Sequence, residues 1–287
     1  MREATLGKAR IFIFFVRPLF ALPKMQIKRF LHKANAVRRK LSNFKLYNTR
    51  ELHTIIEVQY LKKLIHEFKV DCVFDVGANQ GQYALQLMHE IGYRGTIISF
   101  EPTPDLVKIL SEKASCYENW HIEELALGAS KGCIEFQCMN NSQFNSIHSP
   151  FKIGLKELKE TDSNNTVNNT IQVKQDTLAS TYQRLKALHG FKRPFLKMDT
   201  QGHDRVIFES GLEVIEKFVG LQSELSFIKL YDNTDDYHTL INLYERYGFY
   251  LSALIPNNGG HFPHLVEMDC AMINRNYIKK EGRKTNE

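Results

Sequence analysis

The chain has 287 residues, 43% of them hydrophobic and 24% charged, which describes an ordinary folded protein and excludes a disordered or collagen-like one. Its net charge of +6 is unevenly spread. Thirteen Lys and Arg face one acid, Glu3, within residues 1–50, a surplus of +12 that leaves −6 for the remainder.

The basic N-terminal stretch suits an anionic partner such as a membrane surface, a nucleic acid or a charged polymer. Within it, residues 11–22 read IFIFFVRPLFAL, too short to span a bilayer and interrupted by Arg17-Pro18. A secretory signal would need a small-residue cleavage site that does not follow cleanly. The segment is expected either to lie at a membrane interface, where aromatic and cationic side chains are favoured, or to pack on the main domain. Five cysteines, Cys72, Cys116, Cys133, Cys138 and Cys270, form no CxxC pair and no zinc spacing. That pattern reads as reduced and cytoplasmic, with peripheral membrane contact through residues 1–50 left open.

From Val70 onward short β-rich runs alternate with amphipathic stretches. Residues 70–76 read as a buried strand, and residues 83–91 place Tyr83, Leu85, Leu87, Met88 and Ile91 at helical spacing. Residues 96–100 form a second strand, and a helix begins near Asp105 after Pro102-Thr103-Pro104. Residues 120–127 read as a third strand and residues 133–139 as a fourth run. Later strands at 195–198 and 218–225 flank a helix beginning near His203. Runs at 249–255 and 268–273 enclose Asn257-Asn258-Gly259-Gly260, a hairpin pattern. The polar tract 161–170, TDSNNTVNNT, reads as a loop. The rhythm predicts an α/β fold: a mostly parallel, doubly wound sheet finished by an antiparallel strand. The expected division is an extension over 1–50, one domain over 51–279 and a polar tail over 280–287.

The exit of the first strand, VFDVGANQGQY, carries the sharpest signal. Gly77 allows a tight turn with close approach to a ligand, and Gly81 lets the next helix start against the strand. Asp75, Ala78 and Asn79 complete the turn. It is neither GxGxxG nor a GxxxxGK phosphate loop. Asp75 would repel a pyrophosphate, whereas S-adenosylmethionine presents an ammonium and a sulfonium, and Asn79 with the turn amides suits its carboxylate. Glu101 ends the second strand, where an acid can hold both ribose hydroxyls.

Taken in order, VFDVGANQGQY, FEPTPDLV, LALGASKG, FNSIH, FLKMDTQGHDRVIFESG and QSEL resemble the FkbM family of methyltransferases across residues 72–273. The resemblance implies a Rossmann-like methyltransferase fold, S-adenosylmethionine as cofactor, and a hydroxyl acceptor, often a sugar or another metabolite scaffold. It gives Asp75, Gly77, Asn79 and Gly81 the cofactor role and Glu101 the ribose role, and places Asp199 and Gly202 on the family signature. Gln201 stands where the family often has a carboxylate, so no proton-transfer role is assigned to it. Leu178 is followed by Ala179 rather than Asp, which leaves Asp176 as a local substitute.

Methyl transfer needs an acceptor oxygen in line with the methyl group and one proton removed. Asp199, at the carboxyl end of its strand, is the candidate base or orienting group. His203 is the second candidate, its ordinary pKa suiting proton transfer near neutrality. Lys197 and Glu224 border the same rim as substrate contacts, and Asn145 and Ser146 are expected to donate hydrogen bonds there. A divalent metal on Asp199, His203 and Glu224 is an alternative, not expected because no close carboxylate pair enforces it. The leading reading is O-methylation of a hydroxyl on a sugar, glycan or related metabolite. The alternatives are a nucleic-acid methyltransferase that uses the basic arm and a non-catalytic S-adenosylmethionine-binding protein.

Overall fold

The computed structural model describes residues 5–6, 9–10, 52–148, 166–228, 231, 234–256 and 265–282. The chain divides into two compact units, Met1–Asn48 and Thr49–Glu287. The described part of the first is a short antiparallel ladder, β1 (Thr5–Leu6) with β2 (Ala9–Arg10). The apolar segment 11–22 and the rest of the basic extension lie outside the described residues. No described helix is long and apolar enough to cross a membrane.

The second unit opens with α1 (Leu52–Glu67), whose Val58, Leu61, Leu64 and Ile65 bury one helical stripe. Then come β3 (Cys72–Val76), α2 (Gln82–Gln86), β4 (Thr96–Phe100), α3 (Pro104–Ala114) and β5 (Trp120–Glu123). A smaller group follows: β6 (Ala126–Leu127), β7 (Gly132–Met139) and β8 (Val167–Asp176). The chain continues through α4 (Leu178–His189), β9 (Pro194–Met198), α5 (Asp204–Glu209) and β10 (Gly220–Ser226). It closes with α6 (Tyr237–Arg246), β11 (Phe249–Pro256), β12 (Glu267–Asn274) and α7 (Arg275–Gly282).

The main sheet runs β11-β12-β10-β9-β3-β4-β5. The strands from β10 to β5 are parallel, while β12 is antiparallel to β10 and β11. This is the Rossmann-like methyltransferase arrangement, and the expected hairpin at its end is present. Side-chain alternation along each strand feeds two cores. Phe74, Phe100, Leu196 and Met198 join α4, α5 and α6 on one face, and Val73, Ile97 and Phe195 join α1, α2 and α3 on the other. Phe74 anchors the first core, its ring centroid 5.5 Å from each of Phe100, Phe191 and Phe218. The order reverses at β3: β4 and β5 lie to one side and β9 and β10 to the other. Open sheets bind ligands at such a point, above the carboxyl ends of the strands.

Several elements differ from expectation. The single strand over 120–127 is two strands in different sheets. The Glu123 carbonyl accepts the amides of both Glu101 and Leu125, at 3.1 and 2.9 Å, so the chain turns away there. Ala126 then pairs with Gln175 of β8. Residues 167–170 of the supposed loop belong to β8, held by the antiparallel ladder to β7 while their side chains stay exposed. Residues 161–165 lie outside the described residues, as do residues 257–264. The helix over 83–91 passes from α2 into a π-turn, Leu87–Ile91. The tail expected from residue 280 starts inside α7.

Candidate functional site

A cleft of about 490 Å³ opens over the carboxyl ends of β3, β4, β9 and β10, a size usual for small-molecule sites. Its first wall is the turn after β3. Gly77 has φ +80°, and a β-carbon there would run into the Asp199 carbonyl, so only glycine lets the two strand ends meet. The amides of Gly77 and Ala78 donate to the Phe100 carbonyl at 3.2 and 3.0 Å. Asn79 adopts φ 49° and donates its amide to Glu101 Oε2 at 2.9 Å, while Thr103 donates to Oε1 at 3.0 Å. Glu101 is therefore fixed through both oxygens. Burial raises its pKa, with the Thr103 and Asn79 hydrogen bonds opposing. Leu125, Ala126, Leu127 and Phe136 supply an apolar flank beside it.

Two turn residues act from behind the cleft surface. Gly81 leaves room for Trp120 and Leu110, which a β-carbon would press upon, as the packing role of the second glycine requires. Asp75 is fully buried. Its Oδ2 accepts from Ser99 Oγ at 2.9 Å, which in turn accepts from Trp120 Nε1 at 3.0 Å. Its Oδ1 lies 3.4 Å from Lys197 Nζ. Asp75, expected at the cofactor, stands in register with Ser99 and Lys197, and its carboxylate is engaged with their side chains.

The Lys197 ammonium also lies 3.4 Å from Asp199 Oδ2 and 5.3 Å from the Tyr83 ring centroid. Burial works against its charge, but Asp199, Asp75 and Asp269 outweigh that and hold its pKa above the usual value. Lys197 stays a cation and takes no proton. The Asp199 side chain is 42% exposed and faces the cleft. Gln201 donates from Nε2 to Asp199 Oδ1 at 3.3 Å and to Glu224 Oε2 at 3.0 Å. Its own Oε1 lies 2.7 Å from the Tyr231 hydroxyl. The residue given no proton-transfer role is thus the bridge that sets the two acids.

His203 caps the start of α5 and lines the cleft. Its Nδ1 lies 3.2 Å from His148 Nε2, and burial, then His148, lower its pKa to about 4. It is neutral near pH 7 and a weaker base than an ordinary histidine. Asn145 lines the cleft with its Oδ1 taken by the Met139 amide at 2.7 Å. Ser146 is buried and not among the cleft-lining residues, and it braces the loop by donating to the Gln201 carbonyl at 3.1 Å. Asp176 heads α4, accepting from Thr177 N and Ser180 Oγ.

The sequence reading missed the far wall. Glu57 of α1 and Glu267 and Asp269 of β12 line the cleft. Gln222 Nε2 donates to Glu57 Oε1 at 2.8 Å and to Asp269 Oδ2 at 3.4 Å, while its Oε1 accepts from the Tyr83 hydroxyl at 3.0 Å. The signal was the alternation Glu267-x-Asp269: β12 runs antiparallel, so its first residues stand at the rim where parallel strands end. Among the described residues, seven acids (Glu57, Glu90, Glu101, Asp199, Glu224, Glu267, Asp269) and one Lys or Arg, Lys197, line the cleft. No group of three His, Cys, Asp or Glu among the described residues is arranged to hold a metal.

Residues 75–251 match the methyltransferase FkbM domain. The chain belongs to that family. Among solved structures, the FkbM domain here is similar to the methyltransferase FkbM from Methylobacillus flagellatus KT, at 10% identity and TM-score 0.42 over 86% of this chain. The chain spans 60% of the length of that protein. It is also similar to magnesium protoporphyrin IX methyltransferase (ChlM) from Synechocystis PCC 6803 with bound SAM, at 10% identity and TM-score 0.39, covering 88% of this chain and 98% of that one. A third is a rRNA methylase from Streptococcus thermophilus, at 9% identity and TM-score 0.40, covering 80% and 99%. No curated protein matches the chain.

Proposed function

We propose that this FkbM domain binds S-adenosylmethionine and methylates a hydroxyl of a sugar, glycan or related metabolite. The observation that carries the reading is the Glu101 carboxylate, pinned by the Asn79 and Thr103 amides beside the Gly77 turn and open to the cleft. An acid so held has its remaining lone pairs aimed at a fixed place, which suits a ribose diol. Gly77, Ala78 and Asn79 would hold the amino-acid end, and the flank from Leu125 to Leu127 would cover the base. The bound cofactor supplies an electrophilic methyl group on a sulfonium.

Asp199 would align the acceptor hydroxyl and take its proton as the oxygen–methyl bond forms. Lys197 holds that carboxylate from below, while Glu224, Gln201 and Asn145 would orient the acceptor. His203, neutral, would serve as a hydrogen-bonding wall. The excess of acids along the cleft weighs against a phosphate-bearing acceptor, so a metabolite is favoured over nucleic acid.

Calorimetry of the full-length protein with S-adenosylmethionine tests the cofactor claim. Binding is expected, with Glu101→Ala weakening it at least about tenfold, equivalent to ~1.4 kcal/mol. No binding by the unaltered protein would sink the proposal. Labelled S-adenosylmethionine incubated with fractionated cell extract then reports the acceptor through the labelled product.

A further inference from the structure

The acids of the cleft are not spread evenly. Glu224 and Asp269 stand directly opposite each other on β10 and β12, a like-charge cross-strand pair that destabilises a sheet unless something neutralises it. Glu267 lies two residues along the same edge. It is 7% exposed and lines the cleft, yet no described residue donates it a hydrogen bond or forms an ion pair with it. A buried carboxylate in that state is costly. Lys197 does not relieve it, because its ammonium is already shared between Asp75 and Asp199.

A cationic ligand would pair with Glu267 and lie beside the Glu224 and Asp269 carboxylates, which Gln201 and Gln222 already hold in place. We propose that Glu224, Glu267 and Asp269 form a subsite for a protonated amine carried by the methyl acceptor, so that the acceptor is an amino-bearing hydroxyl compound such as an amino sugar. This rests on the methyl-transfer reading of the cleft. An alkylammonium offers three donors and no acceptor, matching a wall of carboxylates that offers only acceptors. The amine is distinct from the cofactor's own: the Gly77 turn that would hold the amino-acid end follows β3, three strands from β12, roughly 14 Å at ordinary strand spacing. The subsite also explains a choice of atom. Three acids around an ammonium keep its proton on, leaving nitrogen no lone pair for the methyl group, while the neighbouring hydroxyl retains one and faces Asp199.

Empty, the subsite holds protons in place of the ligand. Burial, with Asp199 next, raises the Glu267 pKa to about 7, and burial followed by Glu267 raises that of Glu224. Asp269 is raised by burial and Asp199 against the lowering effect of Lys197. Glu57 from α1 and Lys197 from β9 are the other charged groups facing this end of the cleft. An incoming ammonium should therefore displace protons.

The test compares matched neutral and cationic probes on the full-length protein saturated with S-adenosylhomocysteine, at constant ionic strength and pH 7.5. Glucosamine is set against glucose and N-acetylglucosamine, and ethanolamine against ethylene glycol, by protein-observed NMR titration. Each amine is expected to bind at least about tenfold more tightly than its neutral partners. Calorimetry in buffers of different ionisation enthalpy should show proton release. Glu267→Gln should erase the preference while leaving S-adenosylhomocysteine affinity within about twofold, and Asp269→Asn provides the same reading should the first variant fold poorly. Equal binding of cationic and neutral probes would overturn the proposal, as would a preference that survives both substitutions. Displacement of glucosamine by equimolar Mg²⁺ would assign the rim to a metal and overturn it as well. If S-adenosylhomocysteine itself fails to bind, the cofactor reading falls, and the probe comparison on the free protein still decides the subsite.

Discussion

Asp75 and Asp199 share one partner, Lys197, at the same 3.4 Å, and differ in what surrounds them. Asp75 is sealed among Ser99, Trp120 and the sheet, whereas the Asp199 side chain reaches the cleft. Removing one member of a buried pair leaves an uncompensated charge and costs about 3–5 kcal/mol. Asp75→Ala is therefore expected to lower unfolding free energy by that amount in urea titrations. Asp199→Asn should change stability by less than about 1 kcal/mol, because the residue is partly solvated. Activity should reverse the ranking: loss of a proton acceptor costs about 10²–10⁴-fold in kcat, and Asp199→Asn should show that loss with cofactor affinity preserved. Equal loss of stability in both variants would remove the distinction between a floor acid and a cleft acid.

At the scale of elements, β3 serves both fold and site. Its Phe74 joins four aromatic neighbours, Phe100, Tyr182, Phe191 and Phe218, while its end supplies the Gly77 turn. Phe74→Ala is expected to cost about 3–5 kcal/mol in chemical unfolding and, through the loosened strand end, to weaken S-adenosylmethionine binding. These elements were readable in advance because buried parallel strands are continuous apolar runs, and Gly77 and Glu101 sit where such strands end. Other parts were not readable for physical reasons. The strand Val167–Asp176 is stabilised by main-chain pairing to β7, which leaves Asn168 and Asn169 free to look like loop. The long helix α1 precedes the strand–helix rhythm that drew attention to the rest. Glu57 on α1 and Gln222 on β10 meet only through the fold, at 2.8 Å across 165 residues of chain. The direction of β12 is what carries Glu267 to the rim, and alternation alone does not state direction.

Across the whole molecule, buried ionisable groups set opposing pH dependences. The buried carboxyls of Asp75, Glu101, Asp204, Glu224, Glu267 and Asp269 all have raised pKa values, with burial the leading cause. Each binds its proton more tightly folded than unfolded, so each subtracts stability as pH rises from the ordinary carboxylate range through its folded value. For Glu267 that window ends near pH 7, its pKa standing at about 7. His203 acts in the other direction. Its pKa is lowered to about 4, so the unfolded chain binds its proton first, and stability falls as pH drops from about 6.5 toward 4. Over the pH range these effects share, six carboxyls outweigh one histidine, so the ligand-free protein is expected to be more stable on the acidic side of neutrality than at pH 8, with His203 opposing the trend below about 6.5. Glu267→Gln should flatten the alkaline limb and raise Tm at pH 8. Each pKa unit corresponds to about 1.4 kcal/mol, and each kcal/mol to about 2–4 °C for a domain of this size, so the rise should be several degrees. His203→Gln should flatten the acid limb and leave pH 8 unchanged. A Tm that climbs steadily from pH 5 to pH 8 in the unaltered protein would contradict the assignment of the raised carboxyls. A rim that costs stability when empty is what a binding site for a cation requires, since stability withheld from the free protein becomes affinity when the charge is met.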